Sequence, residues 1–539
     1  MVKSLKRIAL IVAVGTLLSK LGGLVRQLTI AAAFGVGTAY EAYNYAYILP
    51  GFLLIILGGI NGPFHSAMVS VLSRYPRKDG AHILATLSTE VSILLLLVSI
   101  TLVLFADSLI RLVAPGLPDQ IHSIAVVQMQ VMSPIALLAG LIGLGFGSLN
   151  TTNEFWIPAI SPLISSLALV LGISGLRWWL GDDIAQPSLA MTGGIVLAAA
   201  TLAGALVQWL IQIPVLVQHH LVPARLSWDW QHSGVYEVWQ VMGPATLSSS
   251  MLQINVLIDL FFASGILGAA AALGYANLLI QMPLGLISNA LLIPLLPALA
   301  RLTPLANKTV LINKVRQGLM LSTASMIPLG ALFVALGEPI VALVYQRGAF
   351  DSAATQLVTS LLIVYGLGMP AYLGRDVLVR VFYVLGDGIT PLRLSLAGIS
   401  LNIFFDWLFV GQSPHLRWGP LSFLTFGAPG IVLATIAVNC LTCFALLLLL
   451  CRKLKNVPIL SWAVDSSYLL AAGLIGGVAA WLLAQNVIWP TNILGSLLQI
   501  GISGAACLIL YIVTASMMGV TEVKQLAARL ISYFKHRRG

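Results

Sequence analysis

The sequence predicts an all-α polytopic membrane protein with about fourteen transmembrane helices, arranged as two six-helix lobes followed by two C-terminal helices. Three observations carry that prediction. Hydrophobic residues make up 59% of the 539 positions and charged residues only 9%, so the bilayer is the solvent for most of the chain. Mainly apolar stretches of about 20 residues, the length that crosses roughly 30 Å of hydrocarbon, recur from end to end instead of gathering at one terminus. No alternation with barrel spacing appears, and an open sheet edge would go unsatisfied in lipid, which leaves helices as the spanning element.

The stretches lie at 5–33, 39–72, 81–107, 121–149, 156–177, 188–217, 234–263, 267–300, 309–336, 353–385, 390–411, 425–450, 464–485 and 493–518. The first, basic and apolar, imitates a signal peptide. It runs too long, lacks a convincing cleavage site and continues into further spans, so it is expected to stay attached. In the second, Tyr40, Tyr43, Tyr45 and Tyr47 read as an interface belt, as do Trp178 and Trp179 in the fifth. His65, beside Pro63, is expected to bond between helices rather than to sense protons. The run GLIGLGFGS at 140–148 has no strand before it and no soluble helix after it, so it reads as small-residue helix packing and not as a phosphate loop. Cys440, Cys443, Cys451 and Cys507 lie in or beside apolar segments, where packing outweighs redox or metal chemistry despite the CxxC spacing of the first two.

Two features divide the chain. The polar stretch QHHLVPARLSWDWQHS at 218–233 reads as an amphipathic linker at the inner surface, separating a lobe at 1–217 from one at 234–452. The residues 453–539 then hold two additional helices and a basic tail. A weak internal likeness supports the split. APGLPD at 114–119, Pro134 and the turn before Pro158 are echoed by QRGAFD at 346–351, Pro370 and the turn before Pro391. Repeats of equal parity with six crossings each are parallel repeats, and transporters place a substrate site between such lobes.

The formal charge of +10 is distributed by topology. With the N-terminus inside, Lys3, Lys6, Arg7, Arg74, Arg77, Lys78, Arg301, Lys308, Lys314, Arg316, Arg452, Lys453, Lys455 and the run 524–538 all fall on the inner side. The outer side keeps little beyond Arg111, Arg177, Arg347 and Arg417. This positive-inside pattern points to anionic lipid headgroups rather than nucleic acid, with both termini cytoplasmic.

Several segments resemble a known family. VMGPATLSSSMLQINVLIDLFFAS at 241–264, YANLLIQMPLGLISNALLIPLLPALAR at 275–301, LVAPGLPD at 112–119, SLNTTNEFWIPAISP at 148–162, and VYQRGAFDSAA with FYVLGDGITP within 344–391 look like the MurJ (MviN) lipid II flippases. These belong to the superfamily of multidrug, oligosaccharide-lipid and polysaccharide exporters. The resemblance runs from about residue 5 to 450. It implies a fourteen-helix transporter of the bacterial plasma membrane that carries the undecaprenyl-pyrophosphate-linked cell-wall precursor to the outer leaflet by alternating access.

A charge inside a span is costly unless it faces water or a partner, so each ionisable residue there is a functional candidate. Lys20 and Arg26 share the first span, six apart and separated by Gly22 and Gly23, which can bend the helix and let both converge on one ligand. Arginine offers a pyrophosphate a bidentate fork that lysine lacks. The resemblance implies that both residues line a central cavity. Read from the residues alone, Lys20 equally snorkels and Arg26 equally pairs with Glu41. The resemblance also implies cavity arginines at two positions held here by Leu54 and Leu278, and acidic groups where Asn277 and Gln281 stand. Part of the anion clamp is therefore missing, and Arg375 and Arg380 are the available substitutes, with Asp376 beside them.

Asn402 and Asp406 are four apart and share a helical face, while Asp259 and Thr435 lie in the seventh and twelfth spans. These are hard oxygen donors of the kind alkali cations accept. They match the family's sodium site residue by residue, and the resemblance adds the backbone carbonyl of Ile431. Read without the resemblance, the same groups bond between helices or share a proton. An enzyme acting on lipid-linked substrates would need acidic or histidine clusters on polar loops, and the loops here are short. A flippase for another lipid-linked glycan or amphiphile, or a non-transporting cell-wall scaffold, is the alternative to lipid II transport.

Overall fold

The computed structural model describes residues 5–59, 62–221, 227–300, 308–411, 425–455, 457–490, 492–520 and 522–524. Lys3, Arg301, Arg417, the middle of the polar linker and the basic tail beyond Lys524 lie outside these residues. Every regular element among the described residues is helical. In chain order they are α1 (Leu5–Phe34), α2 (Thr38–Leu57), α3 (Pro63–Leu72), α4 (Arg77–Leu104), α5 (Ala106–Val113), α6 (Asp119–Met132), α7 (Ile135–Thr151), α8 (Trp156–Leu180) and α9 (Ala190–Leu210). There follow α10 (Gln212–Gln218), α11 (Ser233–Ala263), α12 (Ala269–Ala300), α13 (Lys308–Tyr345), α14 (Ser352–Val384), α15 (Ile389–Val410), α16 (Ala428–Leu454), α17 (Ile459–Asn486) and α18 (Ile493–Met517).

All the apolar stretches fall on helices. Among the described residues eleven helices are long and apolar enough to cross a bilayer, or twelve when α6 and α7 count as one span bent by 41° at Ser133 and Pro134. Two stretches fall short of that test. The one at 39–72 is broken into α2 and α3 by a Gly-rich turn that ends with Pro63 as the first residue of α3, a position where its missing N–H costs nothing. In α11 only Gln253–Ala263 is continuously apolar. α13 runs 38 residues but loses helical geometry at Leu336 (φ −122°, ψ 18°). Pro339 lies three residues on, where it removes an N–H and crowds the preceding turn.

The chain forms two compact units. The first comprises residues 1–271 together with 347–351, and the second comprises 272–346 and 352–539. In the first unit a core of Ile56, Leu57, Phe64, Met68, Leu87, Val91, Leu144, Val238 and Met242 joins α2, α3, α4, α7 and α11. The sequence division assigns α11 to the second lobe, yet its packing is with α2, α3 and α4. The strand of linker leading into it explains why. Thr86 donates to Ser227 Oγ (2.9 Å), the Ser227 amide donates to Thr89 Oγ1 (3.3 Å), His82 meets Asp229 (3.0 Å), and Trp239 donates to Glu90 (2.7 Å). All four anchors stand on α4, while Trp228 and Trp230 keep their indoles exposed, as an interfacial linker should.

The glycine run of α7 behaves as small-residue packing. Val91 and Leu95 of α4 fill the space at Gly140, the Leu57 carbonyl sits where a Gly143 Cβ would be, and Met68 and His65 of α3 cover Gly147. The QRGAFD loop turns back on the end of α1, where the Ala349 amide donates to the Ala32 carbonyl (2.9 Å) and Gly348 adopts a positive φ of 60°. That conformation and the carbonyl against it exclude a side chain.

In the second unit α13 packs on α14, α17 and α18, and α15 and α16 pack together. Tyr511 of α18 donates to the Ala324 carbonyl (2.9 Å), and Arg316 of α13 reaches Asp465 and Glu522 at 2.6 Å each. These bonds tie the last two helices to α13. Their outer faces carry exposed Leu474, Val478, Leu494 and Ile509, the apolar surface that lipid covers. Cys507 is buried as packing requires, whereas Cys440 faces outward, and all four cysteines are free. Trp178 and Trp179 are exposed, in keeping with a belt.

Between α14 and α15 the Asp387 carboxylate accepts from Lys453 Nζ (2.7 Å) and from the Thr390 hydroxyl and amide (2.9 and 3.0 Å). The lysine first, and then the threonine groups, hold its pKa at about 2 against the usual 3.8. A folded pKa below the unfolded one adds stability above pH 3.8 that disappears as pH falls through 2. Asp387→Asn should therefore lower the melting temperature slightly at neutral pH, with the gap to the parent closing as the melts are taken from pH 4 toward 2. Gly143→Ala forces a methyl into the Leu57 carbonyl and should cost about 1–3 kcal/mol, read as a lowered midpoint in thermal unfolding of the detergent-purified protein.

Candidate functional site

α1 lies on α8 through Gly15 and Gly22, with Ser19 donating to the Ala159 carbonyl at 2.7 Å. The helix is continuous from Leu5 to Phe34, so the glycine pair does not open it; Gly22 packs closely on Leu163 of α8, while Gly23 faces open space. A spacing of six on an unbroken helix turns Lys20 and Arg26 about 120° apart. The structure accordingly does not bring them to one face: Lys20 sits exposed among Leu17, Leu18 and Leu21, and Arg26 is half-buried.

Arg26 faces α2. Tyr40, Tyr43 and Tyr47 stack there one turn apart, with ring centroids 6.0 Å and then 5.4 Å apart and planes within 18° and 9° of parallel. The guanidinium is within electrostatic reach of all three phenols. Gln27 donates to Tyr40 Oη (2.6 Å) and Tyr43 shares a hydrogen bond with Thr201 (3.0 Å), which fixes the stack from both sides. The belt expected of these tyrosines is thus replaced by a buried ladder, with Tyr40, Tyr43 and Tyr45 all below 9% exposed. Their hydroxyls found protein partners, so they need no headgroup region. The spacing 40, 43, 47 on one face was the signal available in the sequence.

Glu41 is engaged elsewhere. Its carboxylate, 1% exposed, accepts the backbone N–H groups of Ala270 (3.2 Å) and Ala271 (2.9 Å), with the Tyr45 hydroxyl at 3.5 Å. It therefore caps the positive N-terminus of α12, and neither the pairing with Arg26 nor a ligand-facing position survives. The Nε of Arg26 is buried without a hydrogen-bond partner among the described residues. An arginine held by phenols keeps its charge available for an anion. Leu54 packs on the hydrophobic core of the first unit. Leu278 is half-buried on α12 in the second, next to exposed Asn277, which accepts from Gln281 at 3.5 Å. His65 bonds Asn150 at 2.6 Å, the interhelical role expected of it.

In the second unit Asn402 and Asp406 are 2% and 0% exposed on α15, and the Asn402 amide donates to Asp406 Oδ2 at 2.8 Å. Ile431 and Thr435 lie four apart on α16, the helix packed against α15. Asn402 and Asp406 thus stand on one of two packed helices and Ile431 and Thr435 on the other. Asp259 stands half-buried near the end of α11, in the first unit. No group of three or more His, Cys, Asp or Glu is placed to share a metal ion among the described residues, so the set at α15 and α16 is one carboxylate with amide, hydroxyl and carbonyl oxygens. That chemistry fits a monovalent hard cation and not a transition metal. Arg375 of α14 donates to Asn439 Oδ1 (3.3 Å) and Ser395 Oγ (3.4 Å), and Arg380 is half-buried near Asp376. Asn439 was not singled out from sequence, although it stands four residues after Thr435.

Comparison with known proteins decides the family. The profile described as Lipid II flippase MurJ matches residues 30–531. The "Probable lipid II flippase MurJ" of Synechocystis sp. is 45% identical over 99% of this chain and 98% of the relative. This chain belongs to the MurJ lipid II flippase family. The "Lipid II flippase MurJ" of Burkholderia cenocepacia is 27% identical over 92% of this chain and 93% of its own length. Among solved structures, "Lipid II flippase MurJ, inward closed conformation" aligns with a TM-score of 0.73 at 21% identity, covering 94% of this chain and 98% of that one. An inward-facing MATE family transporter of the MOP superfamily aligns with a TM-score of 0.64 at 13% identity over 81% of this chain and 95% of that one. Both likenesses concern the fold.

Glu41→Leu leaves two buried amides without an acceptor and should destabilise this MurJ-family chain by roughly 1–3 kcal/mol, visible as a lowered unfolding midpoint that Glu41→Gln largely restores.

Proposed function

We propose that this protein moves lipid II, the undecaprenyl-pyrophosphate-linked peptidoglycan precursor, from the inner to the outer leaflet of the bacterial plasma membrane by alternating access. The observation that carries this reading is Arg26, a half-buried guanidinium inside a membrane helix, within electrostatic reach of three phenols and with its Nε lacking a hydrogen-bond partner among the described residues. A pyrophosphate is the kind of partner such a fork fits. Family membership over nearly the whole chain supports the substrate. Leu54 and Leu278 leave fewer cations than the family pattern implies, so Arg26 carries a larger share of the headgroup's charge here.

In this reading Arg26 holds a phosphate while the polyprenyl tail stays in the bilayer, and Lys20, on another face of α1, steers the anionic headgroup without binding it. In this reading the protein works as a transporter. Asn402, Asp406, Thr435 and the Ile431 carbonyl are the residues that would hold a sodium ion. When bound, the ion would supply a charge to balance Asp406. A ligand that prefers one arrangement of the helices shifts their equilibrium by its differential affinity, which is how such a site biases transport. Exposed Arg74, Lys78 and Lys308 at helix ends, with half-buried Lys314, support cytoplasmic termini through the positive-inside rule. Cell-wall synthesis proteins are the partners such a flippase would serve.

Arg26→Ala should weaken lipid II binding about 10- to 100-fold, the loss expected for a charge-assisted hydrogen-bonded pair. In bacteria depleted of their own flippase it should fail to restore growth or outward lipid II exposure. Full growth with Arg26→Ala refutes the headgroup role, and growth without lipid II exposure favours a scaffold.

A further inference from the structure

Arg375 looked from sequence like a substitute for the missing headgroup arginines, but its hydrogen bonds face inward through the second unit. Nη1 donates to Asn439 Oδ1 on α16 at 3.3 Å and Nη2 to Ser395 Oγ on α15 at 3.4 Å. The same Asn439 side chain donates from Nδ2 to the Thr435 carbonyl at 2.8 Å. One guanidinium thus spans three helices, and the amide it touches is used at both ends.

The positions of these residues matter. Ile431, Thr435 and Asn439 recur every four residues and form one stripe on α16, while Ser395, Asn402 and Asp406, spaced by seven and four, form one stripe on α15. The helices run antiparallel: the Phe426 amide donates to the Phe409 carbonyl (2.7 Å) at one end, and further along Gly398 faces Val438 and Thr442, which a Cβ placed on it would meet at 3.3 and 3.6 Å. The two polar stripes therefore meet in one seam. Asp406 and Asn402, with Ile431 and Thr435 opposite, occupy one end of it. Ser395, Asn439 and Arg375 close the other. Thr435 is the shared member, because its carbonyl takes the Asn439 amide while its hydroxyl belongs to the oxygen set.

We infer that Arg375 is a positioning residue for the cation site, holding Thr435 and Ile431 in register with Asn402 and Asp406 through Asn439, and is not a contact for the lipid headgroup. The inference rests on the reading of Asn402, Asp406, Ile431 and Thr435 as a sodium site. Its chemistry is that of a fork: guanidinium can bridge Asn439 and Ser395 at once, whereas an ammonium of equal charge serves one of them at a time. A change to lysine therefore keeps the charge near the seam and removes the bridge.

The test is the sodium-induced rise in melting temperature of the full-length protein in detergent, with potassium as the ionic-strength control, beside lipid II binding to the same samples. Arg375→Lys should need about tenfold more sodium for the same rise, with lipid II affinity unchanged. Asn439→Ala should do the same. The double variant should be no worse than either alone, since both remove one relay. Unaltered sodium response in Arg375→Lys and Asn439→Ala overturns the inference, as does weakened lipid II binding with sodium response intact. Asp406→Asn separates the two levels. A sodium response that persists in Asp406→Asn removes the cation site itself, whereas its loss there with a normal response in Arg375→Lys removes only the role given to Arg375.

Discussion

Hydrocarbon offers a peptide or side-chain polar group nothing to bond with, and every feature of this chain answers to that constraint. It requires the helices, and it then requires each polar side chain inside them to find a partner on a neighbour. Gln128 of α6 illustrates the result: fully buried, it donates to the carbonyls of Ala39 on α2 and Gly194 on α9, sewing three helices with one amide. Tyr511, His65 and Glu41 do comparable work with a carbonyl, an amide and a helix N-terminus. Water drives none of this packing, so close approach through Gly15, Gly22, Gly140, Gly143 and Gly147 supplies the contact area that dispersion needs.

The same constraint sorts Arg26 and Arg375 by their partners. Arg26 lies within electrostatic reach of three phenols, and its Nε has no hydrogen-bond partner among the described residues. Arg375 is bound by an amide and a hydroxyl on two other helices and is committed to structure. Equal side chains in comparable spans thus take different duties, and the difference lies in whether the groups around them leave the fork free.

Much of the architecture was legible from composition and spacing. Apolar length located most of the helices within a few residues and the glycines of 140–148 marked close packing, whereas the bends at Ser133–Pro134 and at Leu336 were not read from sequence. That Asn402 and Asp406 share a face of α15 was legible because four-residue spacing is a property of the helix itself, whereas their grouping with Ile431 and Thr435 came from the family resemblance. The tyrosine ladder was misread as a belt because an aromatic near a span end looks alike whether its hydroxyl meets water or Thr201. Glu41 was misread because its partners are backbone amides of α12, more than two hundred residues away and invisible as side-chain chemistry.

By itself the sequence determined that this is a helical membrane protein, where its helices lie, and which few ionisable groups enter them, since those follow from hydropathy and local periodicity alone. Tertiary structure decided which of those groups is already satisfied. It bound Glu41 to α12, Arg375 to α15 and α16, and α11 to α4 through the linker, and it left Arg26 among phenols. The physical reason is that the cost of a buried charge depends on the groups within hydrogen-bond reach, and those groups come from helices that the sequence lists far apart.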